Sequence, residues 1–384
     1  MFGLRIKPQR RALAFVLGGV LTVVGCGAPG SSPSTAAGTA PPASSAESSS
    51  PPASPAIVVE LFKDTTPAEG AAQVDTAGFR KDGPYTIGFS DISLANSWRV
   101  QARKSAEIIA QELGVELKVT DAGGDANKQI ADVESLLGQG IDALVITPTS
   151  SEALGPVIER AADSGIPVIV WSSAPGTEKY TSRVFVEDVD FGVAGMEQLA
   201  KDMGGKGKLI ALRGIAGISV ETDRYNGMVE VLKKYPDIEL VGEDYGDWAE
   251  DKGKAVAQNL LAAHPQIDGV WSSGAAMTKG AIAAFQEADR PLVPMSGEHL
   301  NGFLKLWKEL GLKSVGPVYP SWQGAEAVKL AVLALQGQPI ARDYLLTPAP
   351  ITNADLDAAV KPDLSDDYWV EGYLTDEQLK QLFP

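Results

Sequence analysis

One cysteine, Cys26, and two histidines, His264 and His299, are all that the 384 residues hold of either type. A single cysteine excludes a disulfide within the chain. No G-x-S-x-G elbow, H-E-x-x-H pair or Walker lysine occurs. Gly204-Gly205-Lys206-Gly207-Lys208 lacks the spacing and the terminal Ser/Thr of a phosphate loop and reads as a turn. His264, in Ala-His-Pro, reads as an exposed turn residue. His299 follows Glu298, and an acid–base pair there is the one enzymatic alternative, weighed below binding. The reading is therefore a protein that is not an enzyme and uses no cofactor and no metal. Positive charge is also scarce, with 33 Lys and Arg against 49 Asp and Glu and a net charge of −16. This argues against nucleic acid and anionic membrane surfaces as partners, and no helix-turn-helix head is present to make the chain a repressor.

Long apolar runs are missing too. Ala12 to Leu21 follows Arg5, Lys7, Arg10 and Arg11 but is too short for a comfortable membrane span. With Val23-Val24-Gly25-Cys26 it resembles a bacterial lipoprotein signal, in which Cys26 is lipidated and becomes the mature N-terminus. Removal of the four basic residues takes the net charge from −16 to −20. Residues 26–83 are expected to form a tether. Gly27 to Ala56 is almost wholly Gly, Ala, Ser, Pro and Thr, which bury too little apolar surface to offset ordering entropy. Ile57 to Phe62 reads as either a small strand or a sticky patch in that leader.

What is present is a repeat. GIDALVITPTSSEALGPVIERAADSGIPVIVW, residues 140–171, joins two apolar runs through a helical pattern at Leu154, Val157, Ile158 and Ala161. Parallel strands buried on both faces have this form. Residues 266–295 repeat the grammar: Ile267-Asp268 echoes Ile141-Asp142 at an offset of 126, and Pro291 echoes Pro167 at 124. Upstream, Ile238 to Gly242 matches Val115 to Val119, and Gly246-Asp247 matches Gly124-Asp125. A repeat this long predicts two α/β domains of one topology with a cleft between them.

The folded body is expected from Pro84, with strands near 85–90, 115–119, 143–147, 167–171, 183–186, 208–212 and 314–318. Helices fall near 96–113, 126–138, 151–164, 187–203, 220–234, 250–263, 276–288, 301–309 and 322–335. Residues 352–384 read as a tail wrapping the surface. Ligands of parallel sheets bind beyond the carboxyl ends of strands, and those loops carry Ser90, Asp91, Asn96, Trp98, Arg99, Thr147, Trp171, Ser172, Arg224, Trp248, Gly274 and Glu298. Hydroxyls, a few charges and tryptophans suit a neutral polyhydroxylated ligand, with aromatic faces on its C–H surface and charged groups on its hydroxyls. Asp91, Asp247 and Glu298 leave an amine-bearing ligand open. Trp271, Trp307 and Trp369 read as packing residues, and the direction of Trp171 is undecided.

GFSDI at 88, GIDALVITPTSSEAL at 140, GIPVIVW at 165, LRGIAGISVETDRYNG at 212 and LAAHPQIDGVW at 261 resemble, in order, the periplasmic sugar-binding proteins of the ribose-binding class. These are the substrate-binding subunits of ABC importers, and the likeness spans Pro84 to Leu346. It implies the type I fold, two similar doubly wound parallel-sheet α/β lobes joined by a three-crossover hinge. Crossings would fall near Val186-Glu187, Val318-Tyr319 and Ala341-Arg342. The lobes would then be 84–186 with 319–341, and 187–318 with 342–351. By the same resemblance Asn96 and Trp98 hold and stack the sugar, Arg99 replaces a second aromatic, and Thr147 replaces an asparagine. Arg224 reaches ring hydroxyls from the second lobe, and Trp248 covers the other sugar face.

Departures from that pattern are Ser172-Ser173 for an Asp-Arg pair, Gly274 for an asparagine, Ser296 for an aspartate with Glu298 and Asn301 nearby, and Val318-Tyr319 at the hinge glutamine. Hydroxyls left without partners cost about 1–3 kcal/mol each, so the implied ligand is another monosaccharide, a modified sugar or a small polyol. The resemblance implies a monomer outside the cytoplasm, anchored by lipid to the outer face of the cell membrane and docking on an ABC permease. A lipid-anchored sensor presenting a sugar, amine or signal molecule to a chemoreceptor or histidine kinase is the alternative output.

Overall fold

The computed structural model describes residues 57–370 and 373–383; the signal segment, Cys26 and the Gly/Ala/Ser/Pro stretch lie outside them. Among the described residues no helix is long and apolar enough to cross a membrane. The first lobe runs β1 (Thr86–Asp91), α1 (Ser97–Glu112), β2 (Glu116–Asp121), α2 (Ala126–Gly138), β3 (Ala143–Ile146), α3 (Ser151–Asp163), β4 (Val168–Trp171) and β5 (Ser182–Val186). The second runs α4 (Asp188–Asp202), β6 (Gly207–Arg213), α5 (Ser219–Leu232), β7 (Ile238–Tyr245), α6 (Glu250–Ala263), β8 (Gly269–Ser272), α7 (Ala275–Glu287), β9 (Met295–Ser296), α8 (Asn301–Leu310) and β10 (Ser314–Val315). The chain then returns as α9 (Gln323–Leu335) and β11 (Asp343–Leu346), and the tail adds α10 (Leu356–Ala359) and α11 (Asp376–Leu382).

Strand order β5-β4-β3-β1-β2 in one sheet and β10-β9-β8-β6-β7 in the other is the same topology twice, with every one of these pairs parallel. The repeated Ile-Asp explains the matching register. Asp142 accepts from Thr86 N at 2.8 Å, and Asp268 accepts from Lys208 N at the same distance. Each aspartate thus fixes the entry of the strand beside the edge strand, β2 or β7, of its sheet. Alternation along the strands sends Leu144, Ile146, Val168 and Val170 against α2 and α3, while Ala143, Val145, Ile169 and Trp171 face α1 and α9. Both faces are buried, as the continuous apolar runs require.

Four expectations need correction. Residues 57–83 are packed against the first lobe. Thr66–Pro67 pairs with β11, Gln73–Val74 pairs with Ile340–Ala341, and Phe62 sits in an aromatic cluster with Trp322 (5.1 Å) and Tyr373 (4.3 Å). Phe62 N donates to the buried Glu326 at 3.0 Å, and Lys329 Nζ lies 3.3 Å from the Phe62 ring centroid. The packed body therefore reaches back at least to Ile57. Next, 343–346 belongs to the first lobe, because β11 pairs in parallel with β5 and buries Tyr344 and Leu346. The third crossing falls after it, through Thr347 to Pro350 to the bridge between Ile351 and Gly316. Finally, the tail does more than wrap a surface: it packs on both lobes. Strands expected over 314–318 shorten to Ser314–Val315 because Pro317 lacks the N–H to continue the ladder.

Phe62→Ala is expected to lower stability by about 2 kcal/mol, below the full-burial range because Phe62 is half-buried. Urea unfolding measures it, and an unchanged midpoint would show that the leader adds nothing to the core.

Candidate functional site: the interlobe cleft

Between the lobes lies a cavity of about 70 Å³. On the first lobe its wall is the start of α1. Asn96 Oδ1 accepts from Arg99 N at 2.9 Å and so caps the helix, which fixes where Ser97, Trp98 and Arg99 leave the backbone. Trp98 Nε1 donates to Tyr319 O at 2.7 Å, and its ring stacks on Trp171 at 6.1 Å and 23°. The Arg99 guanidinium lies 4.9 Å from the Trp98 ring centroid and 5.4 Å from that of Trp171, and it pairs with Asp91 at 3.3 Å.

The second lobe contributes Arg224 from α5 and Trp248 from the loop after β7. Arg224 is buried and donates to Asp188 (3.1 Å), Ser273 O (2.7 Å) and Glu298 (3.4 Å), with Phe191 3.6 Å from its guanidinium carbon. Trp248 has a left-handed backbone, φ 54, preceded by Asp247 at φ 52, and its indole donates to Ser273 Oγ at 2.8 Å. Its slot exists because two neighbours are glycine: a Cβ on Gly214 or Gly274 would stand 2.3 or 2.7 Å from the indole. That accounts for Gly274 where the resemblance expects asparagine. At the hinge, Tyr319 OH meets Ser172 Oγ at 3.0 Å and donates to Asp188 at 3.3 Å. Ser172 is left-handed as well, φ 61. Non-glycine residues held at positive φ carry strain that the surroundings must hold in place.

Asn96, Trp98, Arg99, Ser172, Arg224, Trp248, Gly274, Glu298 and Tyr319 thus line one cavity. Ser90, Asp91, Thr147 and Trp171 do not; they form the layer beneath. Gln129 Nε2 donates to Ser90 Oγ and to Thr147 O, Asp91 holds Arg99, and Trp171 backs Trp98. Sequence reasoning missed Ser97, Val220, Ala275, Ala276 and Trp369 on the wall. It also missed Asp188, whose signal was its place at the first crossing. Trp369, read as packing, comes from the tail. His299 is buried, accepts from Tyr319 N at 3.4 Å and meets the Trp369 ring edge-on at 5.1 Å, so its ring is engaged in packing beside Glu298.

Burial dominates the electrostatics. It raises Asp188 to about 7 and Asp91 to about 6, against the pull of Arg224 and Arg99 respectively, and it raises Glu298 as well. Burial alone would lower Arg224, but the Glu298 and Asp188 carboxylates hold it raised. A carboxyl raised in the fold keeps its proton there while the unfolded chain has lost it. Its stabilising contribution is present below about pH 4 and is lost as pH rises through about 6 for Asp91 and about 7 for Asp188. Melting at pH 5 should therefore occur at a higher temperature than at pH 8, with a smaller difference in Asp188→Asn. A lower melting temperature at pH 5 would contradict this account of the cleft.

Comparison with known proteins agrees with this architecture. The periplasmic binding protein domain matches residues 87–339. A xylitol-binding protein of Mycolicibacterium smegmatis is 30% identical over 275 residues, 69% of this chain and 77% of the relative. The ribose import binding protein of Bacillus subtilis is 28% identical over 269 residues, 70% of this chain and 87% of that one. Among solved structures, a Mycobacterium smegmatis protein in complex with β-D-fucofuranose superposes with a TM-score of 0.68 at 25% identity, covering 72% of this chain and 94% of that one. With two matching parallel-sheet lobes, a cleft between them and a domain match over most of the folded body, the chain belongs to the periplasmic binding protein family.

Proposed function

We propose that this protein is the substrate-binding subunit of an ABC importer, taking a monosaccharide or small polyol into the cleft and delivering it to a membrane permease. The observation that carries the reading is the pairing of Trp98 on one lobe with Trp248 on the other around a cavity that also holds Arg99 and Arg224. Aromatic faces cover the C–H surfaces of a sugar, and guanidinium and carboxylate groups bind its hydroxyls. Relatives named for xylitol and ribose support the class. In this reading Asn96, Ser172, Glu298 and Tyr319 contact hydroxyls, while Ser90, Asp91, Thr147 and Trp171 hold the contact layer in place. Gly274 makes room for Trp248. A ligand touching both lobes shifts the population toward the closed form that the permease recognises, and Cys26 is the lipid-anchored residue.

A thermal-shift panel of D-ribose, xylitol, myo-inositol, D-fructose, L-arabinose, putrescine and glutamate tests the ligand class. One or two polyhydroxylated probes should raise the melting temperature, and Trp98→Ala should remove the shift. A response to putrescine or glutamate alone would end the carbohydrate reading. Uptake of the responding probe by cells with and without the gene tests import. Release of Cys26→Ser from the membrane fraction tests the anchor.

A further inference from the structure

After α10 packs on α8, the tail leaves the second lobe and joins the first. On the second lobe, Asn301 N donates to Tyr368 O at 2.8 Å and Val370 N donates to His299 O at 3.0 Å, so Trp369 lies in a short antiparallel bridge opposite Leu300. The other edge of Trp369 belongs to the first lobe. Its N–H donates to Gln101 Oε1 at 3.0 Å, and its carbonyl accepts from Gln101 Nε2 at 2.9 Å. Gln101 lies on α1 and is 1% exposed. The indole donates to Ser97 Oγ at 2.9 Å and forms part of the cavity wall beside Trp98. Past this point Tyr373 packs on Phe62 and Trp322, and Leu379 of α11 packs in a cluster with Ile108 of α1.

One residue is thus clasped from both sides, by a backbone edge of one lobe and a side-chain amide of the other. Hinge opening carries α1 away from residues 299–302, so it must break the Gln101 pair or pull Trp369 from Leu300. Either break strips hydrogen bonds from buried polar groups. We propose that the tail is a fourth crossing that ties the lobes together, with Gln101 as its clasp and Trp369 as a size-determining wall of the ligand cavity. The wall role rests on the sugar-binding reading; the tie does not.

The test uses the full chain with Cys26→Ser and spin labels at the exposed positions Gln111 and Lys233. Without any probe added, Gln101→Ala should broaden the interlobe distance distribution toward longer values, and an unchanged distribution would overturn the tie. Trp369→Phe keeps the backbone clasp and serves as the folded control. In the panel above, Trp369→Ala should weaken the best wild-type probe about tenfold and admit a polyol one carbon longer. Unchanged affinity and ranking would make Trp369 a packing residue. If the wild type answers no polyhydroxylated probe, the sugar reading falls while the distance measurement still decides the tie.

Discussion

Arg224→Ala should abolish binding of every polyhydroxylated probe and lower stability by about 3–5 kcal/mol, the range for breaking a buried ion pair from one side. Among the described residues the guanidinium is the one cation paired with both Asp188 and Glu298, and burial already raises both carboxyls. Without it, each must take up a proton or remain as an uncompensated buried charge. The loss should accordingly be larger at pH 8, where protonation is disfavoured, than at pH 5. Urea denaturation at the two pH values measures the difference, and calorimetry on the same samples measures binding. A variant as stable as the wild type at pH 8 would show that the three groups do not form the charge cluster described here.

Gly192→Ala should be nearly as damaging although it removes no charged group. A Cβ at Gly192 would stand 1.9 Å from Arg224 O, and one at Gly227 would stand 2.1 Å from Val189 O. Helices α4 and α5 therefore meet backbone to backbone at reciprocal glycines, and the residue displaced by a methyl at Gly192 is Arg224 itself. Overpacking typically costs about 1–3 kcal/mol and more where backbone must move, so a loss of about 3 kcal/mol with weakened probe binding is expected. Gly138→Ala is the control: nothing lies within 4 Å of its Cβ and it ends a helix, so its urea midpoint should hold or rise slightly. Equal midpoints for wild type and Gly192→Ala would contradict the close approach of these helices.

The two sheets were legible because their signal is local. Ile-Asp before an apolar run recurs at 141 and 267, and each aspartate makes the same bond to the neighbouring strand. The helices expected at 126–138 and 250–263 have those bounds in the structure. Contacts made over long separations were not legible. Phe62 meets Trp322 and Tyr373, partners more than 250 residues away, and nothing periodic in the leader announces them. The same holds for β11, whose lobe is decided by pairing with β5, and for Trp369, whose wall position depends on where the tail crosses. Depth at the site was also hidden. Helix or strand period assigns a residue to a face, but it does not distinguish Trp98 of α1, which lines the cavity, from Trp171 at the end of β4 stacked behind it. The Gly274 departure became intelligible only when the Trp248 indole was seen to fill the space a side chain would take.

Titration calorimetry of the full chain against the panel tests the central claim most directly. The account predicts saturable heat from a neutral monosaccharide or polyol at one site per chain, absent in Trp98→Ala and in Arg224→Ala. Heat from putrescine or glutamate alone, or from a sugar but unchanged in both variants, would contradict it.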